Sequence, residues 1–548
     1  MTTASVEQTF SRKRGAGPLT YESLTMPAIL ARTAALRPKQ AAIVFMGNRI
    51  DFRTFDDMVN RMANALLARG VVPGDKVALL LPNIPQMAVA VYAVWRIGAV
   101  VVMNNPLYTD RELEHQFNDA GATVLICLDL LVPRMMALRS RTGLRRIVVA
   151  HIRDHLGFFT RLLFPLVARD KHRNIAPAPE LDQWTDLLRN HPPTAPADGP
   201  ELSSVACLQY TGGTTGVSKG VILTHENLSK NAQQARTLFV NRDVGETVVG
   251  ALPIFHAFGA FVMNLCILSG YTHVLVPRPE PEILMKAIAD NAATIFPAVP
   301  TMLVGILNNP KRSRYDLSSL KVCVSGAAPC PVEVIQQFEA YTGAQIVEGF
   351  GISEASPVTH INPIGGVNKP GSIGLPMPDT ETKIVSLEDG ISDVAVGQPG
   401  ELCVKGPQVS SYGYFNMAEE TASTFRQGWL YTGDVATMDA DGYTFIVDRK
   451  KDMILAGGYN IYPREIDEVL FEHPKILEAC TKGIPDPYRG ETVRAYVVPM
   501  PGRKLSETEV IAWCREKLAA YKVPKSVVFL EQLPKSAVGK ILRKDLPD

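Results

Sequence analysis

Short runs of apolar, often β-branched residues alternate with helical periodicity through about the first four hundred residues. Residues 76–81 and 100–103 are such runs, and the segment between them repeats apolar residues at helical spacing. Because strands that alternate with helices usually pair as parallel sheets, the pattern predicts an α/β fold. The same pattern returns in "GATVLICLD", "LRRIVVAH", "THVLVPRP", "ATIFPAVP" and "LKVCVSGAAP".

The chain is too long for one hydrophobic core. Its 548 residues suggest about three or four units, at roughly 100 to 200 residues each. After Gly400 the pattern changes to short strands with turns, and an α+β pattern follows from about Lys450. We expect an N-terminal domain over residues 1–449 and a C-terminal domain over 450–548. The segment 174–202 is rich in Pro and Ala, and we expect a subdomain border there.

Charge and cysteine content exclude some classes of protein. Lys and Arg number 56 against 55 Asp and Glu, so no global positive field exists to bind nucleic acid, and we expect none as a partner. The eight cysteines are scattered and form no C-x-x-C pair. We expect buried free thiols in a reducing compartment.

The N-terminal sequence has basic residues but no apolar stretch of signal-peptide length behind them, which predicts a cytoplasmic protein. The segment 155–173 is the nearest approach to a membrane-active sequence, although Arg161 and Pro165 interrupt it. A half-buried helix or loop is the favoured interpretation, and peripheral contact with the inner membrane face is the alternative. A homodimer stays open as well.

One stretch, "YTGGTTGVSKG" at residues 210–220, has the composition of an anion site. Glycines allow backbone N–H groups to point inward, and the threonine hydroxyls with Lys219 add donors and charge. The spacing matches neither G-x-x-x-x-G-K-[ST] nor G-x-G-x-x-G, so a Walker or dinucleotide loop is not indicated. Taken alone, the stretch fits a polyphosphate loop or a flexible turn.

Further motifs follow in a fixed order along nearly the whole chain. They are "YTGGTTGVSKG" (210–220), "LPIFHAFG" (252–259), "VSGAAP" (324–329), "EGFGISEAS" (348–356), "GELCVKGP" (400–407), "GWLYTGDVA" (428–436), "DRKKDMILAGGYNIYP" (448–463) and "LPKSAVGKILRK" (533–544). The series resembles the adenylate-forming family of acyl-CoA synthetases, luciferases and peptide-synthetase adenylation domains. The residues of the motifs "GSIGLPMP", "GELCVKGPQV" and "YKVPK" look most like those of bacterial long-chain fatty-acid CoA ligases.

The resemblance implies a fold and a reaction. The fold is a large N-terminal domain of two stacked α/β subdomains with a β-rich subdomain, followed by a small mobile α+β domain. In the reaction, a carboxylate attacks the α-phosphate of ATP and releases pyrophosphate, and the thiol of CoA then displaces AMP. Mg²⁺ is the implied metal, because it prefers hard oxygen ligands from a carboxylate and phosphates.

The resemblance also implies roles for individual residues. Glu354 and Thr215 would bind the metal, Phe350 would stack on adenine, and Asp434 would accept both ribose hydroxyls. The full set assigned to ATP or AMP is Thr211, Gly212, Gly213, Thr214, Thr215, Gly216, Lys219, Gly326, Ala327, Ala328, Glu348, Gly349, Phe350, Gly351, Ser353, Asp434 and Arg449.

The C-terminal tail would supply the adenylation lysine. Lys540 would bridge the substrate carboxylate and the α-phosphate, where negative charge accumulates in the transition state. Such a lysine must leave before the thiol arrives, so the resemblance implies a rotating domain with its hinge at Lys451. Gly457 and Gly458 would line the path of the pantetheine arm of CoA.

The sequence determines the identity of the acid substrate less well than it determines the reaction. By resemblance, Phe255, His256, Val299 and Gly326 would lie beside the acyl group, with His256 among the catalytic residues. Apolar segments and the lack of a visible cation for a second carboxylate favour a medium- or long-chain fatty acid, since each buried methylene contributes roughly 0.8 kcal/mol.

Three alternatives stay open at this level. One is a fatty acyl-AMP ligase that loads a carrier protein, another is a ligase for aryl or other acids, and the third is a regulator that binds nucleotide without catalysis. Ser218 stands where many family members have proline, and Ser353 where they have threonine, and neither change removes a needed group.

Overall fold

Some residues of the predicted site are outside the part of the chain that the structure describes. Residues 212–216 of the glycine- and threonine-rich loop, Gly457, Gly458 and parts of the segment 155–173 are outside the described residues. The computed structural model describes residues 18–157, 160–161, 164, 171–211, 218–239, 245–456, 459–536 and 539–547.

The first part of the chain alternates strands with helices, as its periodicity predicts. Its strands are β1 (Ala41–Phe45), β2 (Asn48–Asp51), β3 (Lys76–Leu80), β4 (Val100–Met103), β5 (Val124–Leu128), β6 (Arg146–Ala150), β7 (Leu181–Gln183), β8 (Val205–Thr211) and β9 (Lys219–Thr224). Its helices are α1 (Met26–Leu36), α2 (Phe52–Ala68), α3 (Pro85–Arg96), α4 (Asp110–Ala120), α5 (Val132–Arg139), α6 (Trp184–Asn190) and α7 (His225–Arg236).

The first large sheet has the described strand order β7-β6-β5-β3-β4-β8-β9. Its pairs run parallel except β8 with β9. The expected subdomain border in residues 174–202 is wrong. Strand β7 lies within this segment and β8 follows it, and both strands belong to this one sheet. Within the segment, Trp184 and Leu187 are buried, and Asp182 forms ion pairs with Arg69 and Arg146.

The second large sheet has the described order β16-β15-β14-β13-β12-β10-β11-β1-β2 and is parallel at its centre. Its later strands are β10 (Thr247–Gly250), β11 (Thr272–Leu275), β12 (Ile295–Ala298), β13 (Val322–Ser325), β14 (Gln345–Gly351), β15 (Val358–Ile361) and β16 (Leu375–Pro376). The accompanying helices are α8 (Ala257–Ser269), α9 (Pro281–Asp290), α10 (Pro300–Leu307) and α11 (Val332–Thr342).

A shared core joins the two sheets. All residues of α3 are buried, as expected of a helix that is apolar all round. The same core includes Ile43 of β1, Val77 of β3 and Ile267 of α8, so both sheets contribute to it. The two α/β layers are therefore stacked, which confirms the predicted architecture. All eight cysteines are free and buried, as predicted.

A smaller antiparallel sheet follows, with the order β17-β18-β20-β19 and β21 paired to β20. It confirms the predicted β-rich layer. Its elements are β17 (Glu381–Val385), β18 (Gly400–Lys405), α12 (Ala418–Thr424), β19 (Phe425–Arg426), β20 (Trp429–Met438) and β21 (Thr444–Arg449).

The C-terminal part is α+β, as predicted, and its sheet has the order β23-β22-β25-β24 with β26 paired to β25. The predicted domain boundary at residues 449 and 450 falls between β21 and β22, which belong to different sheets. Its elements are β22 (Ile454–Ala456), β23 (Tyr459–Ile461), α13 (Pro463–Phe471), β24 (Ile476–Asp486), β25 (Gly490–Pro499), α14 (Glu507–Lys517) and β26 (Ser526–Phe529). None of the helices in the described ranges is long and apolar enough to cross a membrane.

Candidate active site

A cavity of about 1410 Å³ lies where the carboxyl ends of β8, β13 and β14 meet β21 and the C-terminal tail. Parallel sheets bind ligands at this edge, because loops there can approach a ligand while the strands stay rigid. Most of the predicted site residues that are described line the cavity. They are Thr211, Lys219, Phe255, His256, Gly326, Ala327, Gly349, Phe350, Gly351, Ser353, Glu354, Arg449, Lys451 and Lys540.

The two ends of the predicted phosphate loop enter this cavity together. Thr211 ends β8 and Lys219 begins β9, and the two residues pair across the antiparallel ladder. Ser218, which replaces the usual proline, accepts a hydrogen bond from Gln116 Nε2 on its hydroxyl at 3.3 Å. The residue at this position therefore ties the loop to α4.

Tyr414 connects the loop lysine to the predicted metal carboxylate. Its hydroxyl donates to Glu354 Oε1 at 2.7 Å, and Lys219 Nζ lies 5.2 Å from the centre of its ring. Burial and the adjacent Glu354 raise the pKa of Tyr414, so the phenol stays a neutral donor. Tyr414 was not predicted from the sequence, because it is far from Glu354 and Lys219 along the chain. An aromatic residue directly after Gly413 was the only available signal.

Glycine is required at two of the positions that are predicted to bind nucleotide. A Cβ on Gly326 would lie 2.9 Å from the Phe258 ring, and one on Gly351 would lie 2.4 Å from the carbonyl oxygen of Pro357. Ala327 next to the first has a left-handed backbone with φ of 66°. Ala328 is half-buried beside it. This backbone surface leaves space for a flat ring.

Glu348 has a different environment from the other predicted nucleotide residues. Its two carboxylate oxygens accept hydrogen bonds from the backbone N–H groups of Cys330 at 3.2 Å and Gly371 at 2.9 Å. Burial raises the pKa of its carboxyl group. The carboxylate on β14 joins the segments that contain Cys330 and Gly371, which is a structural arrangement, and its contact with nucleotide stays a prediction.

Asp434 and Arg449 face each other on neighbouring strands, β20 and β21. Arg449 Nε lies 3.0 Å from Asp434 Oδ1, whereas Asp434 Oδ2 is buried and has no hydrogen-bond partner among the described residues. Burial raises the pKa of Asp434, and Arg449 opposes this effect. One oxygen of this buried carboxylate is thus unpaired, and its contact with ribose stays a prediction.

Lys540 reaches the same region from the C-terminal tail. Lys540 lines the cavity, where surrounding protein atoms partly desolvate its ammonium group. Arg449 nearby, together with burial, lowers the pKa of Lys540 to about 8, while Asp434 and Asp452 act in the opposite direction. The ammonium group is therefore close to its point of deprotonation near neutral pH.

His256 begins α8 and borders the cavity. Its Nδ1 accepts a hydrogen bond from the backbone N–H of Phe258 at 3.3 Å. Burial, with a smaller effect of Lys540, lowers the pKa of His256 to about 4, so the imidazole is neutral at pH 7. The neutral ring therefore adds no charge to this part of the cavity.

One face of α8 forms the wall of an apolar channel. Phe258, Phe261, Val262, Leu265 and Cys266 line the cavity at helical spacing. These residues span about 12 Å of the helix axis, at roughly 1.5 Å per residue. The channel therefore runs from the charged end of the cavity along the helix into the core of the second sheet.

Val299 lies apart from the channel residues. It is buried at the end of β12, and its Cγ2 lies 3.5 Å from the position of a Cβ on Gly539 in the C-terminal tail. Contact between Val299 and an acyl group stays a prediction.

Arg543 anchors the tail close to Lys540. Its Nη2 lies 2.7 Å from Asp467 Oδ2, its Nη1 lies 3.7 Å from Asp448 Oδ1, and its Nε donates to the carbonyl of Thr481. Asp448 belongs to β21, whereas Asp467 and Thr481 belong to the C-terminal sheet and helix layer. Arg543 was also not predicted from the sequence, since an arginine near the chain end usually extends into solvent.

The segment at Lys451 links the two parts of the protein. Lys451 is exposed between β21 and β22, and Lys450 before it forms an ion pair with Glu401 Oε2 at 2.9 Å. The side chain of Lys451 lines the cavity, and partial desolvation there is the main effect that lowers its pKa. The position agrees with that of a hinge, whose role stays a prediction.

Comparisons with known proteins agree with this arrangement. Residues 30–415 match the family model of AMP-binding enzymes, and residues 465–540 match the AMP-binding enzyme C-terminal domain. A long-chain-fatty-acid–CoA ligase of Bacillus subtilis (strain 168) is 45% identical over 528 residues, which cover 95% of this chain and 94% of the relative. The ligase of the same name from Escherichia coli O157:H7 is 37% identical, with coverage of 97% and 95%.

A solved structure is similar over the same length. The ATP-bound MatB of Rhodopseudomonas palustris is 27% identical and superposes with a TM-score of 0.83, covering 95% of this chain and 98% of that chain. The family models together span both the α/β layers and the tail that carries Lys540. The chain therefore belongs to the family of AMP-binding enzymes.

Proposed function

We propose that the protein is an ATP-dependent long-chain fatty acid–CoA ligase that works through an acyl-AMP intermediate. The observation that carries the proposal is the apolar channel along α8, which belongs to the same cavity as Lys540 and Arg449. A channel of that length fits an extended alkyl chain better than an aryl ring. The names of the relatives from B. subtilis and E. coli support the same substrate and the use of CoA.

The first half-reaction joins the acid to AMP. A carboxylate oxygen attacks the α-phosphorus of ATP, the new O–P bond forms, and the bond to the pyrophosphate oxygen breaks. The attack brings two anions together, so the ammonium of Lys540 would offset their repulsion where charge accumulates. Thr211 and Lys219 would bind the β- and γ-phosphates, and Asp434 Oδ2 would accept a hydrogen bond from the ribose.

Mg²⁺ is the metal that this donor set would suit. Glu354 offers a carboxylate whose second oxygen is free of the Tyr414 contact, and phosphate oxygens would complete a hard-oxygen shell. When bound, the ion would neutralise phosphate charge. The hydroxyl of Tyr414 would hold Glu354 in position, and Thr215 is the second ligand that we propose.

The second half-reaction transfers the acyl group. The thiol sulfur of CoA attacks the carbonyl carbon, the S–C bond forms, and the C–O bond to AMP breaks while the thiol proton is lost. A docked Lys540 would stand in the path of the thiol, so the C-terminal part would rotate about Lys451 between the steps. Gly457 and Gly458 would then form the pantetheine path.

Pyrophosphate release tests the proposal directly. Purified protein is incubated with ATP, Mg²⁺ and straight-chain acids of increasing length, with and without CoA. We expect release to rise with chain length and acyl-CoA to form when CoA is present. Release only with benzoate-type acids would contradict the substrate, and release without acyl-CoA would favour the carrier-protein alternative.

A further inference from the structure

Two histidines and one aspartate converge at the edge of the first large sheet, among residues separate from those that line the catalytic cavity. Asp129 follows β5 and His151 follows β6, and these parallel strands are neighbours. His172 approaches from the segment that precedes β7. The side chains of Asp129, His151 and His172 are 1%, 11% and 9% exposed.

The three side chains lie at the spacing of metal ligands. His151 Nδ1 is 2.9 Å and His172 Nδ1 is 3.1 Å from the same oxygen, Asp129 Oδ2. One ring nitrogen from each histidine and a carboxylate oxygen all lie within 4.8 Å of one another. Ligand atoms about 2.0 Å from a tetrahedral Zn²⁺ are about 3.3 Å apart, so a small adjustment would admit the ion.

Without a cation, Asp129 Oδ2 would have to accept more hydrogen bonds than it has lone pairs. Oδ2 already accepts the backbone N–H of Arg173 at 2.7 Å. A carboxylate oxygen has two lone pairs, so two additional imidazole donors would give it three bonds. One metal ion in place of the two donors restores two partners for this oxygen.

The far sides of the rings support the same interpretation. His172 Nε2 lies 3.0 Å from Asn174 Oδ1, and His151 Nε2 lies 3.4 Å from Gln183 Oε1. A neutral imidazole has one N–H, and donation from Nε2 to an amide oxygen leaves a lone pair on Nδ1. Histidines that bind metals commonly donate their other N–H to an oxygen in this way. The two lone pairs and the carboxylate then face a common point.

We propose that Asp129, His151 and His172 bind one structural Zn²⁺ ion, with water as the fourth ligand. Nitrogen and oxygen donors from imidazole and carboxylate suit Zn²⁺ better than Mg²⁺, which prefers oxygen alone. The ion would join the ends of β5 and β6 to the segment that carries His172. It is distinct from the proposed Mg²⁺ site at Glu354.

Zinc binding by the full-length protein tests the proposal. The protein is stripped with a chelator, desalted and titrated with Zn²⁺ alone, and its metal content is measured after a second desalting step. We expect about one ion per chain in the wild type, as for a tight protein site, and a thermal midpoint that rises with Zn²⁺. His172→Asn should lose both the ion and the shift, and Asn174→Ala should bind about 10- to 100-fold more weakly.

A matched variant separates this site from other zinc binding. His191→Asn removes a histidine whose Nδ1 contacts the carbonyl of Leu187, and it should bind like the wild type. Co²⁺ should give the visible spectrum of a tetrahedral site in the wild type and not in His172→Asn. Equal zinc content in the wild type and His172→Asn, or no zinc in either protein, would overturn the proposal. The three side chains would then form a hydrogen-bonded cluster in which the side-chain amides of Asn174 and Gln183 are rotated.

Discussion

At the scale of single residues, the pair of Asp434 and Arg449 leaves one buried carboxylate oxygen without a partner among the described residues. Burying a carboxylate is costly unless its oxygens are paired, and Arg449 pairs only Oδ1. The cost of leaving Oδ2 without a partner would be offset when a ribose hydroxyl donates to it. The unpaired oxygen is consistent with the proposed contact to ribose.

Removal of the Lys540 ammonium group should affect the chemical step far more than nucleotide binding. For Lys540→Ala we expect acyl-AMP formation to fall about 100- to 1000-fold, as when one donor to a developing negative charge is removed. ATP affinity, measured by titration calorimetry, should change much less. The control Lys517→Ala removes a surface ion pair with Glu472 and should change neither quantity. Unchanged adenylation in Lys540→Ala would remove this lysine from the mechanism.

The lowered pKa of Lys540 predicts a descending limb in the pH profile. The charged ammonium is present below its pKa of about 8 and is lost above it, so kcat/KM for ATP should decline above that pH. Lys540→Arg keeps its charge across this range, and its profile should stay flat there even if its rate is lower. A decline at the same pH in Lys540→Arg would assign the limb to another group.

The hydroxyl of Tyr414 should matter through the metal. Tyr414→Phe keeps the ring near Lys219 and removes the donor to Glu354, so Glu354 loses its fixed orientation. Hydrogen bonds to charged groups contribute about 1.5 to 3 kcal/mol, and we expect activity to fall about tenfold or more at limiting Mg²⁺. The measurement is the Mg²⁺ concentration for half-maximal rate. An equal loss at all Mg²⁺ concentrations would indicate a general structural role instead.

At the scale of elements, α8 has two apolar faces with different tasks. Phe258, Val262 and Cys266 face the channel, whereas Ile267 lies in the core between the two large sheets. Such a helix carries no periodic polar signal, so the sequence indicates burial without indicating which face borders a ligand.

Closing the deep part of the channel should shorten the preferred acid. In Cys266→Phe, the added ring would occupy the volume of the terminal methylenes, and we expect activity with long acids to fall while shorter acids are still used. Ile267→Phe overpacks the opposite face at a similar cost of about 1 to 3 kcal/mol and should keep the original preference. The measurement is kcat/KM over a series of chain lengths. A parallel loss at every length in Cys266→Phe would argue against the channel.

At the scale of the whole molecule, the C-terminal part is docked against the N-terminal part, with Lys540 at the cavity. Arg543 contacts Asp448 on β21 and Asp467 on α13, and Gly539 lies against Thr301. A Cβ on Gly539 would lie 2.6 Å from Thr301 Oγ1, so the tail approaches the N-terminal part closely. These contacts bring Lys540 to the cavity.

Weakening this docking should separate the two half-reactions. Arg543→Met removes the charge and keeps much of the side-chain length, so the docked arrangement should be less populated. We expect pyrophosphate release to fall about tenfold, corresponding to about 1.4 kcal/mol, and transfer from supplied acyl-AMP to CoA to change less. Arg515→Met on α14 is the control. Equal losses in both half-reactions would indicate that Arg543 only stabilises the fold.

The sequence predicted much of this site because its motifs are local. The loop ends at Thr211 and Lys219, the turn at Glu354 and the strand pair at Asp434 and Arg449 each depend on a few neighbouring residues. The sequence did not predict Tyr414, which meets Glu354 across 60 positions of the chain. It also gave no sign that the carboxylate of Glu348 is engaged by two backbone amides.

The amino-acid sequence by itself determined the α/β order of elements, the β-rich layer after Gly400 and the burial of eight free cysteines. These follow from periodicity and residue type, which act over short stretches. Only the tertiary structure decided that residues 174–202 complete the first sheet, that one face of α8 borders a channel, and that Asp129, His151 and His172 converge. Each of these depends on the packing of segments that are distant in the chain, because burial of apolar surface and pairing of charges are settled between elements rather than within them.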